Sequence, residues 1–115
     1  MARVVAFIPD LLFGSNVVGA LGAAGHETVL VSDAEAARRE LPGAQALVVD
    51  LTAEAAARIE HVSALIGSPE VKSLAFYSHV EHDVRTQAEQ AGFDLVIPRS
   101  RMAREGAAVL ARLLD

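Results

Sequence analysis

The chain has 115 residues, of which 52% are apolar, 22 are alanine and only 4% are aromatic, so we expect one helix-rich domain spanning residues 1–115 rather than two smaller ones. No cysteine is present, which excludes disulfides and thiolate metal sites, and the formal charge of −5 argues against a basic surface for nucleic acid or anionic membranes. The apolar run before Pro9 is too short for a signal peptide or a membrane span, so a cytoplasmic location is expected.

Short apolar runs rich in β-branched residues alternate with longer stretches that have helical spacing. In chain order, this alternation predicts strand 3–8, helix 12–24, strand 27–31, helix 33–41, strand 45–50, helix 53–66, strand 72–78, helix 80–91, strand 94–97 and helix 101–114. The runs 4–8 and 46–49 are apolar at every position, as inner parallel strands are, whereas 27–31 is half polar and indicates an edge strand.

Several residues mark the predicted ends of the helices. Gly25 and Gly92 each follow a helical stretch, where a left-handed residue commonly ends a helix. The segments Ser32–Glu35 and Ser78–Glu81 both have the spacing of a capping box, so we expect each serine hydroxyl to cap the helix that follows.

The five strand-helix units predict an α/β fold: a three-layer, doubly wound, five-stranded parallel sheet in the flavodoxin-like order 2-1-3-4-5. Ligands of such sheets bind beyond the carboxyl ends of the strands. The polar residues expected at that edge are Asp10, Asp50, Ser78, His79, Arg99 and Ser100.

Each of these residues also has an ordinary structural interpretation. Asp50 and Ser100 could cap the helices that follow them, and Ser78 could act only in its capping box. Arg99 could be the counter-charge of neighbouring carboxylates, and Asp10 could belong to a surface turn. The joint arrangement therefore indicates a site more strongly than any single member does.

The joint arrangement resembles the receiver domain of bacterial two-component response regulators, the CheY-like domain, over the whole chain. The resemblance is carried by Asp10 after the first strand, by Asp50 within Val-Val-Asp-Leu, by Ser78 after the fourth strand and by Arg99 after the fifth. The Ala-Gly-Phe-Asp segment at 91–94 is also similar to the approach to the last strand in that family.

The resemblance implies a role for each matched residue. Asp50 would accept a phosphoryl group, and Asp10 together with Asp50 would hold Mg²⁺. Ser78 would contact the phosphoryl oxygens, as would Arg99 at the position where receivers have lysine. His79 and Ser100 are further candidate contacts for an anion.

Three departures from the family pattern indicate an atypical, stand-alone receiver or pseudo-receiver. Pro9 stands where receivers usually have a second acidic residue, so Mg²⁺ affinity should be weak. Arg99 is not equivalent to lysine, and Thr52 leads directly into a helix without the usual Pro-Gly loop. We therefore expect weak or no phosphotransfer, no enzymatic activity and no output domain in this chain.

A protein that signals without an output domain must act through a partner. We expect a protein partner, or a second copy in a homodimer, to bind the face formed by the fourth helix, the fifth strand and the fifth helix. The last helix has a wide apolar arc and three arginines that could pair with Glu81, Asp83 or Glu89 of a second copy: Arg101, Arg104 and Arg112.

The main alternative is a small flavodoxin-like domain that binds an anion or a nucleotide fragment at the strand ends. Three further interpretations have less support. The segment 10–14 lacks the histidine of a cobalamin-binding loop, and His79 and His82 have no identifiable third metal ligand. A hydrolytic triad of Ser78, His79 and Asp50 would need adjacent side chains that point apart.

Overall fold

Five strands alternate with five helices in the computed structural model, which describes residues 1–115. The strands are β1 (Arg3–Phe7), β2 (Glu27–Val31), β3 (Ala46–Asp50), β4 (Lys72–Tyr77) and β5 (Leu95–Pro98). The helices are α1 (Leu11–Ala23), α2 (Ala34–Glu40), α3 (Ala55–Val62), α4 (His82–Ala91) and α5 (Arg99–Leu114). No helix is both long enough and apolar enough to cross a bilayer.

All strands are parallel and lie in the order β2-β1-β3-β4-β5, which confirms the predicted topology. The half-polar strand β2 lies at an edge, and the five residues of β3 are all buried, as the composition of the two runs predicts. Near the carboxyl edge of the sheet, Asp50 pairs with Phe76, and Tyr77 pairs with Pro98. The chain segments that leave these strands therefore start close together.

Two apolar cores cover the two faces of the sheet. Alternate strand residues such as Val5 and Leu47 pack with α2, α3 and α4, whereas Val4 and Val48 pack with α1 and α5. This alternation follows from the two-residue period of a strand, and it explains why the inner strands are apolar at successive positions.

The glycines that end two helices have the expected conformation, with φ values of 94° at Gly25 and 106° at Gly92. The two predicted capping boxes are wrong. Asp33, rather than Ser32, caps α2 by accepting a 2.7 Å hydrogen bond from the backbone N–H of Ala36. Ser78 caps nothing, because the chain first makes a turn and α4 begins only at His82.

Besides α4, two helices differ from their predicted extent by two residues or more. Helix α3 is shorter than 53–66, and it follows Glu54, whose φ of 47° is left-handed. Helix α5 begins at Arg99, two residues earlier than predicted, with Pro98 at the preceding position. Ser100 therefore lies in the first turn of α5 and is not its N-cap.

Candidate functional site

The ends of β1, β3, β4 and β5 meet at one edge of the sheet, as the predicted strand order requires. Asp50 is the last residue of β3, Ser78 follows β4 directly, and Arg99 follows β5 directly. Asp10 lies between β1 and α1. The strand ends therefore bring the four residues to the same edge, but Asp50 makes no hydrogen bond or ion pair with the other three.

The Asp50 carboxylate is already engaged within its own loop. Its Oδ1 atom accepts two hydrogen bonds from Thr52, at 2.8 Å from the backbone N–H and 2.5 Å from the hydroxyl. Asp50 is only 3% exposed, because β3 runs through the middle of the sheet. This carboxylate is thus buried and has one oxygen fully occupied.

Arg58 on α3 supplies the counter-charge of Asp50. Its Nη1 atom donates a 2.9 Å hydrogen bond to the backbone carbonyl of Asp50 and lies 3.7 Å from Oδ2. The guanidinium also lies 5.8 Å from the centre of the Phe7 ring, and only 12% of the Arg58 side chain is exposed. A buried carboxylate needs such a partner, because an unpaired charge in the interior is strongly disfavoured.

Arg58 is the residue of this site that the sequence interpretation missed. One signal was available, since Ala55, Arg58 and Val62 are spaced by three and four residues, which places them on one side of a helix. Val62 is fully buried, so this side of α3 faces the sheet. An arginine on the side of a helix that faces the sheet, a few residues after a buried carboxylate, indicates an ion pair between the two side chains.

Asp10 has a structural role at the start of α1. Its Oδ1 atom accepts a 3.0 Å hydrogen bond from the backbone N–H of Phe13, which makes Asp10 the N-cap of the helix. The residue is exposed. One of its oxygens is thus committed to the helix rather than to a ligand.

Arg99 is not the counter-charge of the carboxylates, contrary to one of its predicted roles. Its guanidinium carbon lies 4.2 Å from the centre of the Phe13 ring, and the Phe13 ring in turn lies 5.1 Å from that of Phe76. The cation therefore stacks on an aromatic pair between α1 and β4. The counter-charge of Asp50 is Arg58 on α3 instead.

The other three candidate residues make no side-chain hydrogen bond. Ser78 is partly buried, while His79 and Ser100 are exposed. A cleft of about 560 Å³ lies beside the loop that holds Ser78 and His79, but its lining comes from α3, α4 and that loop: Ala55, Ala56, Val80, Glu81, His82, Asp83, Val84 and Gln87. The cleft therefore lies beside the polar edge and does not contain it.

The side chains at this edge do not fit a Mg²⁺ ion as they are arranged. No three acidic or histidine side chains lie close enough together to hold a metal. Asp50 directs one oxygen to Thr52 and has Arg58 beside the other, and Asp10 caps α1. Mg²⁺ requires oxygen ligands in a nearly octahedral arrangement, so these carboxylates would have to leave their present partners first.

Comparisons with known proteins find similarity in structure but not in sequence. No protein-family model matches the chain, and neither does any curated protein sequence. A response regulator from Thermotoga maritima superposes with a TM-score of 0.83 at 14% identity, with 99% of this chain and 98% of that one covered. The Mn²⁺-bound form of the response regulator Rcp1 gives a TM-score of 0.79 at 13% identity, covering 100% and 96%.

NtrX from Brucella abortus, whose structure contains ADP, has 20% identity and a TM-score of 0.81 over 98% of this chain. The matched region spans only 26% of the NtrX chain. These neighbours superpose on nearly the whole of this chain, and that similarity in structure shows the fold. The chain has the CheY-like, flavodoxin-like fold of response-regulator receiver domains.

Proposed function

We propose that this chain is a receiver-like signalling domain of the two-component type, which acts by binding a protein partner and has weak or no phosphotransfer. The observation that carries the proposal is the closed environment of Asp50, which is 3% exposed and held by Thr52 and Arg58. A cytoplasmic location, a single domain over residues 1–115 and the lack of an enzymatic activity are parts of the same proposal.

Phosphorylation of an aspartate requires a carboxylate oxygen that can reach the phosphorus atom. At Asp50, Oδ1 accepts two hydrogen bonds, which draw electron density from it and hold it in place. Oδ2 has the Arg58 guanidinium nearby, and little of the residue contacts solvent. An incoming phosphoryl donor would have to displace these groups before the reaction could begin.

The neighbouring residues give little help to such a reaction. A divalent cation would normally offset the negative charges of the carboxylate and the phosphoryl group, but Pro9 replaces one acidic residue and Asp10 caps a helix. Arg99 would have to leave the Phe13 ring to contact a phosphoryl oxygen. The structure of Rcp1 contains Mn²⁺, but in this chain Asp50 contacts Thr52 and Arg58, and Asp10 caps α1.

Incubation with acetyl phosphate and Mg²⁺, followed by intact-mass measurement, tests the proposal. We expect the wild-type chain and Asp50→Asn to show the same small or absent gain of phosphoryl mass. The Asn variant is the matched control, since it removes the candidate acceptor but keeps the size of the side chain. Stoichiometric phosphorylation that disappears in Asp50→Asn would overturn the proposal.

A second candidate function is the binding of a small anion or nucleotide fragment at the start of α5. This helix has no side-chain cap and no acidic residue in its first turn, while Arg99 and Ser100 are both exposed there. Mg²⁺-independent binding of inorganic phosphate, lost in Arg99→Met, would favour this function over the first. Absence of phosphate binding at millimolar concentrations would remove it.

The partner-binding part of the proposal concerns α4, β5 and α5. The arginines of α5 and the acidic residues of α4 could form ion pairs between two copies of the chain or with another protein. A surface that binds by such pairs needs no phosphoryl group to be functional. The homodimer version predicts an association that weakens as the salt concentration rises.

A further inference from the structure

Asp50 has one positively charged neighbour, the Arg58 guanidinium of α3. The Arg58 guanidinium contacts the residue at two points, the backbone carbonyl at 2.9 Å and the carboxylate at 3.7 Å. The two side chains are 12% and 4% exposed. Both charges are therefore largely withdrawn from water. Their electrostatic interaction is screened less than that of an exposed ion pair.

Arg58 makes three further contacts, two of them with Glu54. Its guanidinium lies over the Phe7 ring of β1, and the carboxylate of Glu54 lies 4.0 Å from Nη2. The backbone N–H of Arg58 donates a 3.0 Å hydrogen bond to the Glu54 carbonyl, which anchors it to the first turn of α3. Arginine suits this place, because its cation is weakly hydrated and remains charged at every physiological pH.

We propose that Arg58 is a built-in replacement for a divalent cation: it neutralises Asp50 permanently and so makes this edge of the sheet independent of metal. This inference rests on the proposed function, since it explains how a receiver-like domain can keep its central carboxylate without using it as a phosphoryl acceptor. It assigns to Arg58 a positioning role that acts through Asp50.

A double-mutant cycle with a metal titration tests the proposal. The variants are Arg58→Met, Asp50→Asn and the combination of both, with Arg38→Met as the matched control. Methionine keeps most of the apolar stem of arginine but removes its charge, and Arg38 is an exposed arginine on α2 that makes no ion pair. Thermal unfolding is followed with increasing MgCl₂, against NaCl at the same ionic strength.

We expect Arg58→Met to lower the midpoint of thermal unfolding by about 10 °C or more, because it leaves a buried carboxylate without a counter-charge. Added Mg²⁺ should then raise this midpoint in a saturable manner, as a ligand that binds only the folded state does. The midpoint of the double variant should not respond to Mg²⁺. Its decrease relative to wild type should be smaller than the sum of the decreases in the two single variants. Wild type and Arg38→Met should show no response beyond that seen with NaCl.

The two proposals fail in different ways. If the wild-type chain is phosphorylated at Asp50, the proposed function is wrong, whatever Arg58 does. If the wild-type chain is inert but folded Arg58→Met does not respond to Mg²⁺, or if the cycle is additive, then only the inference about Arg58 is overturned.

A second measurement covers the case in which Arg58→Met does not fold. In the wild-type chain, the Nε–Hε resonance of Arg58 reports directly on the guanidinium, and we expect it to be unchanged by Mg²⁺ up to about 20 mM, where a cation with millimolar affinity would be mostly bound. A saturable shift of this resonance would show that a metal competes with Arg58 and would overturn the inference.

Discussion

Glu54 is the only residue other than glycine with a positive φ, at 47°. A side chain with a Cβ atom is disfavoured in this left-handed conformation by roughly 1–2 kcal/mol. This conformation lets the chain turn after the loop of Asp50 and Thr52. Helix α3 then begins at Ala55, and the Arg58 side chain on its first turn reaches back to Asp50. Local strain at one residue thus accompanies the buried ion pair four residues further on.

Replacing Glu54 with glycine should therefore stabilise the protein. We expect Glu54→Gly to raise the free energy of unfolding by about 0.5–1 kcal/mol, since glycine adopts a positive φ without a steric penalty. The ion pair that is lost involves a carboxylate that is 78% exposed, and such pairs contribute little. Urea denaturation measures the change.

Ala53→Gly is the control for Glu54→Gly, because it lies in the same loop and has no positive φ. It should leave the stability unchanged or lower it, as glycine makes the unfolded chain more flexible. Equal destabilisation by both substitutions would contradict the claim that Glu54 is strained.

At the scale of single residues, the sequence could predict which polar groups lie at the carboxyl edge but not what they contact. Asp50 ends a strand, and Asp10, Ser78 and Arg99 follow strands, whose ends are recognisable from the apolar runs. The pairing of Asp50 with Arg58 depends on how α3 is rotated and where it begins. The spacing of Arg58 and Val62 indicates which side of α3 faces the sheet, but the start of the helix depends on the backbone turn at Glu54, which no local pattern encodes.

At the scale of elements, α1 packs tightly against the sheet at Gly14. A Cβ atom added there would lie 2.9 Å from Cδ1 of Leu30 and 3.4 Å from the backbone oxygen of Ile8. Gly19, on the same helix, would have open space around an added Cβ. Alanine substitutions at these two positions therefore distinguish the effect of helix propensity from the effect of packing against the sheet.

Gly19→Ala should stabilise the protein by about 0.5–1 kcal/mol, which is the difference in helix propensity between glycine and alanine. Gly14→Ala should change the free energy of unfolding by close to zero, because Leu30 would have to move to make room for the new methyl group. Chemical denaturation of both variants gives the comparison. A gain at Gly14 as large as that at Gly19 would show that the contact between α1 and β2 is not tight.

The elements themselves were predictable because apolar runs and helical spacing alternate regularly, but their ends were less so. At α2, Ser32 and Asp33 are adjacent possible caps, and the choice depends on which backbone N–H each side chain reaches. At α4, the backbone N–H of Glu81 donates to the carbonyl of Ser78 in a turn, which delays the start of the helix. Such short-range competition is decided by loop geometry rather than by residue type.

At the scale of the whole molecule, the large apolar side chains of α5 are used inside the protein. Met102, Val109 and Leu110 are buried in the core beneath the sheet, and Leu113 and Leu114 are half-buried. The exposed large apolar residues lie elsewhere: Met1, Leu11, Leu12 and Val80. Association through α4, β5 and α5 would therefore depend on charged groups rather than on an apolar patch.

The charges on that surface determine how such association should respond to salt. Arg101 and Arg104 both lie near Glu105 on their own helix, whereas Arg112 makes no ion pair. On α4, Arg85 pairs with Glu89, which leaves acidic groups only at the start of the helix for contact with another chain: Glu81 and Asp83. A contact of this kind is weakened when salt shortens the range of electrostatic interactions.

We therefore expect a reversible homodimer at tens of micromolar protein in low salt and a monomer in about 0.5 M NaCl, measured by sedimentation velocity. Arg112→Glu should weaken the association by about fivefold to tenfold, because it replaces an attraction to Glu81 or Asp83 with a repulsion. Arg38→Glu, which makes the same change of charge on α2 at the opposite end of the fold, should have little effect. A monomer at every salt concentration would exclude the homodimer, and equal weakening by both variants would show that net charge, not this surface, controls association.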